Sequence, residues 1–376
     1  MSLNIQIIDT KEKLSDFLTV FTSVKEGSFI AIDTEFTRVR TYYPILDLIQ
    51  VCIDEVSYLL DPHAINVDDF IKAFVESKAS FILFSAREDL EILSYKASVI
   101  GCSKLLPDNI IDIQLLQAFL NLSYMQGLQS SIKDRLGIDI PKAETMSDWS
   151  LRPLTKSQQE YAAQDVIYLK DLYEKVMSLA VDDDVRLSYF KQETIRLSKV
   201  YSTFDDEDTY YLTVSGAGAL HKNELAMLKY LCKKRLVFAK RRNVALNRII
   251  TTKALCPISR LRKIDEKALL NANMKPGAVR QYGTMVIRWF NEAMEQIKSI
   301  KVEMPYDYFA CDRDSSKLLK TLRHQLKVKA QDLKICEDLL GSKALCNDYF
   351  YSKENQQTPI LETSWFKECV GEIKLN

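Results

Sequence analysis

Asp33 and Glu35 stand two apart at the end of the run Phe29-Ile30-Ala31-Ile32-Asp33-Thr34-Glu35-Phe36, whose first four residues are apolar. On a β-strand alternate side chains leave the same face, so the two carboxylates project together about 6–7 Å apart. Held side by side at a buried strand end, they repel each other unless a cation lies between them. Further acids follow. The apolar run Phe81-Ile82-Leu83-Phe84 leads into Ser85-Ala86-Arg87-Glu88-Asp89-Leu90-Glu91, a strand end followed by a helix start, where ligand sites of open α/β sheets gather. Acids in a helix's first turn are also favoured by the dipole alone, and spacing does not choose among Glu88, Asp89 and Glu91. Tyr161 and Asp165 are four apart in Glu160-Tyr161-Ala162-Ala163-Gln164-Asp165, so on a helix they share one face. Alone that pair is a core-edge tyrosine and a surface acid. With Asp33, Glu35 and an acid near 89, it completes a set of four carboxylates and a phenol.

The elements that must position this set are readable in outline. A helical pattern starts at Asp9-Thr10-Lys11-Glu12, with Leu14, Phe17 and Leu18 on one face. Strands are expected at 29–36, 45–53 and 56–60, and their short connections favour antiparallel pairing. A helix over 66–77, a strand at 81–84, a helix from about 87 and a strand within 108–113 come next. Helices at 114–121, 127–136 and 156–178 complete an α/β fold with a mixed sheet and flanking helices. The acidic stretch Ser202–Asp208 and the flexible Ser215-Gly216-Ala217-Gly218 mark a linker at 205–216. The expected domains are 1–204, 217–298 and 301–376, the last two helical.

With 376 residues the chain is long enough for two or three domains. A hydrophobic share of 47% and a charged share of 27% are those of a soluble globular protein. No run of 18 apolar residues suggests a membrane span, and the first residues lack the basic head and cleavage site of a signal peptide. The cysteines at 52, 102, 232, 256, 311, 336, 346 and 369 include no Cys-x-x-Cys, which points to free thiols in a cytoplasmic protein. Zero net charge hides a division. Residues 1–210 hold 21 Lys/Arg against 34 Asp/Glu, residues 211–300 hold 18 against 5, and residues 301–376 hold 12 of each. An acidic front suits metal ions and a basic middle suits a polyanion.

The chain resembles ribonuclease D, of the tyrosine subclass of the DEDD exonuclease superfamily. The matching stretches are Ala31–Phe36, Arg40-Thr41-Tyr42-Tyr43-Pro44, Leu48-Ile49-Gln50, Glu88-Asp89-Leu90-Glu91 and Ser147-Asp148-Trp149-Ser150-Leu151-Arg152-Pro153-Leu154, continuing to Tyr161–Val166. They cover the first 200 residues in the family's order. The resemblance implies a ribonuclease H-like exonuclease domain that trims RNA 3′ ends, tRNA precursors among them, and releases nucleoside 5′-monophosphates. It selects Asp89 from the ambiguous acids, makes Asp33, Glu35, Asp89 and Asp165 the metal ligands, and gives Tyr161 the attacking water. It also implies a monomer without a small-molecule cofactor. Phe84 departs from the histidine that relatives often carry there, and Asp112 is expected to cap a helix or support the site. Residues 219–298 resemble an HRDC domain through Leu228–Arg235, Ala239, Asn247–Ile250 and Ala278–Gly283, and 301–376 would be a divergent second copy.

Four carboxylates suit two hard cations, Mg²⁺ or Mn²⁺, and not zinc, for an in-line displacement at phosphorus. A tyrosine, with a reference pKa of about 10, orients water before it moves protons. None of the histidines at 63, 221 and 324 stands at position 161, which argues against a histidine subclass. Arg38, Arg40, Tyr42 and Tyr43 could neutralise phosphates and stack bases, or the tyrosines could pack against the sheet. Arg152 and Lys156 are further candidates for phosphate contact. Lys233, Lys234, Arg235, Lys240, Arg241, Arg242 and Arg248 could follow an RNA backbone. A DNA 3′-exonuclease and a catalytically silent RNA-binding protein are the competing readings. A helicase is excluded, since Gly341-Ser342-Lys343-Ala344 is no phosphate-binding loop.

Overall fold

Alternating apolar residues in the first 112 positions build six strands. In this computed structural model, which describes residues 3–141, 144, 147–180 and 182–371, they form one sheet; the extreme ends of the first and last expected domains, 1–2 and 372–376, lie outside the described residues. The strands are β1 (Asn4–Ile8), β2 (Phe29–Thr37), β3 (Ile45–Ile53), β4 (Val56–Leu60), β5 (Ser80–Leu83) and β6 (Ile110–Asp112), in the order β1-β4-β3-β2-β5-β6. The β2–β3 and β3–β4 pairs are antiparallel, as their short connections require; the β1–β4, β2–β5 and β5–β6 pairs are parallel. The expected mixed sheet is therefore present. β1 was not foreseen. Its five residues carry little local signal, and it becomes a strand by pairing with β4 across about fifty residues of chain.

The helices of the same unit are α1 (Lys11–Ser23), α2 (Asp68–Glu76), α3 (Arg87–Val99), α4 (Ile113–Phe119), α5 (Leu128–Leu136), α6 (Lys156–Ile167), α7 (Leu169–Met177) and α8 (Asp184–Tyr201). The single helix expected over 156–178 is two, broken at Tyr168, because its apolar period continues through the break and conceals it. Strand alternation splits the sheet into two faces. Ile30, Ile32, Ile49, Val51 and Leu60 bury one face with Phe17 and Phe21 of α1, Phe70 and Phe74 of α2, and Leu90 and Leu93 of α3. Each such side chain contributes about 1.5–3 kcal/mol by leaving water. The other face carries Asp33, Glu35, Leu48, Gln50 and Leu59 in register and receives α6 with Trp149, Leu154, Tyr161 and Ala162.

The chain divides into two compact units. One comprises 1–37, 45–204 and 330–339; the other comprises 38–44, 205–329 and 340–376. The segment 330–339 joins the first unit through Cys336 N–H to the Ala118 carbonyl (2.9 Å) and Arg186 Nη1 to the Lys334 carbonyl (2.7 Å). The second unit has no strand among the described residues. Its helices are α9 (Lys222–Arg242), α10 (Leu246–Ile249), α11 (Thr252–Ser259), α12 (Glu266–Asn271), α13 (Pro276–Gln296), α14 (Tyr308–Cys311), α15 (Ser315–Asp332, which ends in the first unit), α16 (Glu337–Leu340, likewise divided), α17 (Lys343–Glu354) and α18 (Ser364–Val370).

The stretch expected as a linker, 205–216, packs into this second unit. Tyr211, Leu212 and Val214 are buried in its core with Leu228, Leu231 and Phe290, and apolar residues of that size do not stay in water. Gly218 serves close approach, since a Cβ there would lie 2.4 Å from the Tyr308 Cα. The N–H groups of Gly216 and Gly218 donate to the Asp307 carboxylate at 2.6 and 2.8 Å. No helix among the described residues is long and apolar enough to cross a membrane.

Candidate active site

The sequence phases the site through two helix starts. Thr155 caps α6, its hydroxyl accepting from Gln158 N–H while the Gln158 side chain accepts from Thr155 N–H. This box fixes where α6 begins, and so which face carries Tyr161 and Asp165. At the β5–α3 corner Ser85 takes a left-handed φ of +59°. The corner is held by Asp112, which accepts the N–H groups of Ser85 and Ala86 at 3.0 Å each and that of Gln114 at 2.9 Å. Asp112 is thus the cap of α4 and the support of the turn that delivers Asp89.

Asp33 and Glu35 leave the same face of β2, and Asp165 meets them from α6. One oxygen from each of these three lies within 4.8 Å of the others. Asp89 is buried in the first turn of α3, and its Oδ1 accepts from the Thr34 N–H at 3.0 Å and the Thr34 hydroxyl at 2.5 Å. It is not part of the three-acid group, but its charge acts on Glu35 and the charge of Asp33 acts on it. Glu88 is exposed, and Glu91 pairs with Arg87 at 2.9 Å. Of the three acids that spacing left open, Asp89 is the one whose charge acts on the cluster.

Burial, then mutual repulsion, governs these groups. Asp33 is pushed well above the carboxylate range by desolvation and then by Asp165. Glu35 rises to about 9 through desolvation, then Asp33, Asp165 and Asp89. Asp89 is raised by desolvation and by Asp33. Asp165 rises to about 7 through desolvation, against the pull of its hydrogen bond from Tyr161. The charges these acids feel most are one another's. An oxygen-only donor set with no balancing cation among the described residues fits a hard divalent metal ion.

Tyr161 is buried at 9% exposure and hydrogen-bonds to Asp165. The Gln129 amide donates to the phenolic oxygen at 3.4 Å, and the Trp149 ring lies 6.0 Å away, tilted by 44°. Arg152, a sequence candidate for phosphate contact, is spent on holding this tryptophan. Its Nε and Nη2 donate to the Asp61 carboxylate at 2.6 and 2.8 Å. Nη1 donates to the carbonyls of Trp149 and Leu151 at 2.8 Å each, and Nη2 to that of Asp47 at 2.6 Å. Lys156 is exposed and pairs with Glu160 at 3.6 Å. Sequence reasoning missed Asp47, Asp61 and His63, of which Asp47 is fully buried and accepts from the Thr37 hydroxyl at 2.7 Å, with His63 Nε2 at 2.8 Å. Their one signal was a charged residue within or just after an apolar strand.

The residues expected to touch RNA fare differently from one another. Arg38 and Arg40 are exposed. Tyr42 donates to Asp205 at 2.9 Å and packs on the helical core of its own unit. Tyr43 N–H donates to Asn243 Oδ1 at 3.1 Å, and Ala245 N–H to the Arg40 carbonyl at 2.9 Å. These bonds lay residues 38–44 beside the end of α9. Lys233 pairs with Asp208 at 2.7 Å, and Lys234 with Glu292 at 3.0 Å. Lys240 lies 3.8 Å from Glu207 and donates to the Asp205 carbonyl. Arg235 is a correction. It is 1% exposed, because position 235 lies on the apolar face of α9 with Leu228, Leu231 and Ala239, and its guanidinium lies 5.9 Å from the Tyr210 ring centre. Arg40, Arg241, Arg242 and Arg248 are exposed and form no ion pair among the described residues.

The 3′–5′ exonuclease family profile matches residues 5–179. Ribonuclease D of Haemophilus influenzae is 31% identical over 285 residues, covering 73% of this chain and 68% of the relative. Ribonuclease D of Escherichia coli is 28% identical over 388 residues, covering 100% and 98%. Among solved structures, RNase D of Escherichia coli, described as an exoribonuclease involved in structured RNA processing, is 25% identical. It covers 97% of this chain and 96% of its own, with a TM-score of 0.82. The catalytic core of RRP6 from Trypanosoma brucei shares the fold at 19% identity and a TM-score of 0.60, covering 79% and 82%. An exonuclease domain of this type implies use of divalent metal, and the cluster on β2 and α6 holds the carboxylates for it.

Proposed function

Because the chain belongs to the ribonuclease D family and is a hydrolytic 3′–5′ exoribonuclease, we propose that it trims the 3′ ends of structured RNA, tRNA precursors in particular, and releases nucleoside 5′-monophosphates. The observation that carries this is the meeting of Asp33, Glu35 and Asp165 beside a tyrosine hydroxyl bonded to Asp165. Residues 1–204 are assigned as the exonuclease domain, with 217–298 and 301–376 as HRDC-type domains. Eight free thiols suit a reducing compartment and support a cytoplasmic place of work.

Asp33, Glu35, Asp89 and Asp165 would hold two divalent ions, Mg²⁺ or Mn²⁺, which when bound supply Lewis acidity for an in-line displacement at phosphorus. Tyr161 gives its hydrogen to Asp165, which leaves the phenolic lone pairs to accept from the attacking water and orient it. Water oxygen joins phosphorus as the bond to the 3′-oxygen breaks. One proton leaves the water and one reaches the departing oxygen, giving a nucleoside 5′-monophosphate and a shortened RNA with a new 3′-hydroxyl. The test is degradation of a 3′-extended tRNA and a single-stranded DNA of matched length, with Mg²⁺ or Mn²⁺. Mononucleotides should come from the RNA, and Tyr161→Phe should lower kcat by about 10²-fold with KM little changed. Preference for DNA would favour the DNA exonuclease, and binding without cleavage a silent RNA-binding module.

We assign the RNA-holding surface to Arg40, Arg241, Arg242 and Arg248, which are exposed and form no ion pair among the described residues. Replacing Arg241, Arg242 and Arg248 together by alanine should weaken RNA binding and flatten the plot of log K against log salt by about 2, at about 0.7 for each phosphate no longer neutralised. A slope equal to wild type would take these arginines out of the RNA-holding surface.

A further inference from the structure

Gln50 is 0% exposed in the middle of β3, and neither its Nε2 nor its Oε1 has a hydrogen-bond partner among the described residues. On the β4 side and along β3 its neighbours on that face are apolar. Leu59 is its register partner on β4, Leu48 is two residues before it on β3, and both belong to the cluster that includes Ala162 and Tyr161. A buried amide left unpaired costs about 1–3 kcal/mol per polar group. A leucine or methionine of similar size would carry no such cost among these neighbours. The amide therefore has a use that these neighbours do not reveal. Its other register partner names the use, because Gln50 lies directly across the β2–β3 ladder from Asp33. Opposed residues of an antiparallel pair point to the same face with Cβ atoms about 4.5–5.5 Å apart, which is within the reach of a glutamine amide.

We propose that Gln50 is a positioning residue for the acid cluster: its amide N–H turns to the Asp33 carboxylate when that group holds a divalent cation, and fixes which carboxylate oxygen faces the ion. An ionised carboxylate only accepts hydrogen bonds, so the N–H end of the amide meets it. The oxygen taking this bond is turned from the cation, and the other is turned toward it. The role rests on the reading of Asp33 as a metal ligand. Partners of this kind, one layer out from the metal, are worth about 10–100-fold in metal affinity.

The test uses full-length protein without RNA and reads Mn²⁺ binding by calorimetric titration, with Mn²⁺-induced thermal stabilisation as the second readout. Gln50→Leu should keep or raise the melting temperature of the metal-free protein and weaken Mn²⁺ binding by about 10–100-fold. Gln50→Met should do the same, which separates removal of the amide from an effect of side-chain shape. Asp33→Asn should remove most of the Mn²⁺ binding, and that result tests the ligand reading by itself. Wild-type Mn²⁺ affinity in both Gln50 variants, with affinity abolished in Asp33→Asn, would overturn the inference and leave the ligand reading standing. Wild-type affinity in Asp33→Asn would overturn both. Loss of the fold in both Gln50 variants would also overturn the inference, because an amide that makes no hydrogen bond in the metal-free protein must tolerate an apolar replacement of similar size.

Discussion

Asp33→Asn lowers turnover by on the order of 10³-fold or more and leaves the protein folded. The size follows from the task assigned to this carboxylate. A bound cation supplies several kcal/mol of charge stabilisation in a phosphoryl transition state, and each 1.36 kcal/mol is tenfold in rate. Asparagine keeps the shape of the side chain, so packing beside Gln50 and α6 persists. It removes one of the charges that push Glu35 and Asp89 upward, so the metal-free variant should be at least as stable as wild type at neutral pH. The measurement is single-turnover release of mononucleotide from a 3′-labelled RNA, with circular dichroism and the melting temperature recorded alongside. Turnover within tenfold of wild type, in a folded variant, would remove Asp33 from the metal site.

The parts of this site that sequence reveals are those fixed by local geometry. Two acids two apart on a strand must share a face, and Tyr161 and Asp165 four apart on a helix must do so too; the structure has both arrangements. Choosing Asp89 over Glu88 and Glu91 needed more, because α3 could be entered in any phase until Asp112 fixed the corner before it. Long-range partnership was not legible. Arg152 reads as a basic residue near the active helix, and only the fold reveals that Asp61, 91 positions away, takes its guanidinium. Charge counting could not see local pairing for a similar reason. The acidic residues 205–208 read as linker, yet Asp208 pairs with Lys233 and the Asp205 carbonyl takes Lys240. Part of the basic charge of α9 is thereby answered within its own unit. Arg235 joined the basic cluster by composition, although the helical period of α9 already placed it with Leu228, Leu231 and Ala239.

The metal-free protein should lose stability as pH rises from about 4 to about 9, and divalent metal should restore most of it. The sign follows from proton counting. In the unfolded chain these carboxyls ionise near pH 4. In the folded chain Asp165 holds its proton to about 7 and Glu35 to about 9, with Asp33 and Asp89 also raised. Between those limits the folded state binds more protons than the unfolded state, so its stability is complete at the acid end and falls as pH climbs. Cations bind the ionised carboxylates and release those protons, so metal affinity must rise over the same interval. Melting curves with a chelator at pH 5 and pH 9 should differ by on the order of 5–10 °C, or a few kcal/mol at the usual 2–4 °C per kcal/mol. The stabilisation by Mn²⁺ should be much larger at pH 8 than at pH 5. Glu35→Gln should remove the part of the slope between pH 7 and pH 9, where Glu35 alone of the groups with a defined midpoint is still losing its proton. A melting temperature that stays level across the interval in the metal-free wild type would mean that the cluster is already open to water. In that case the cation would add charge balance to a hydrated site, and burial would have no part in setting its affinity.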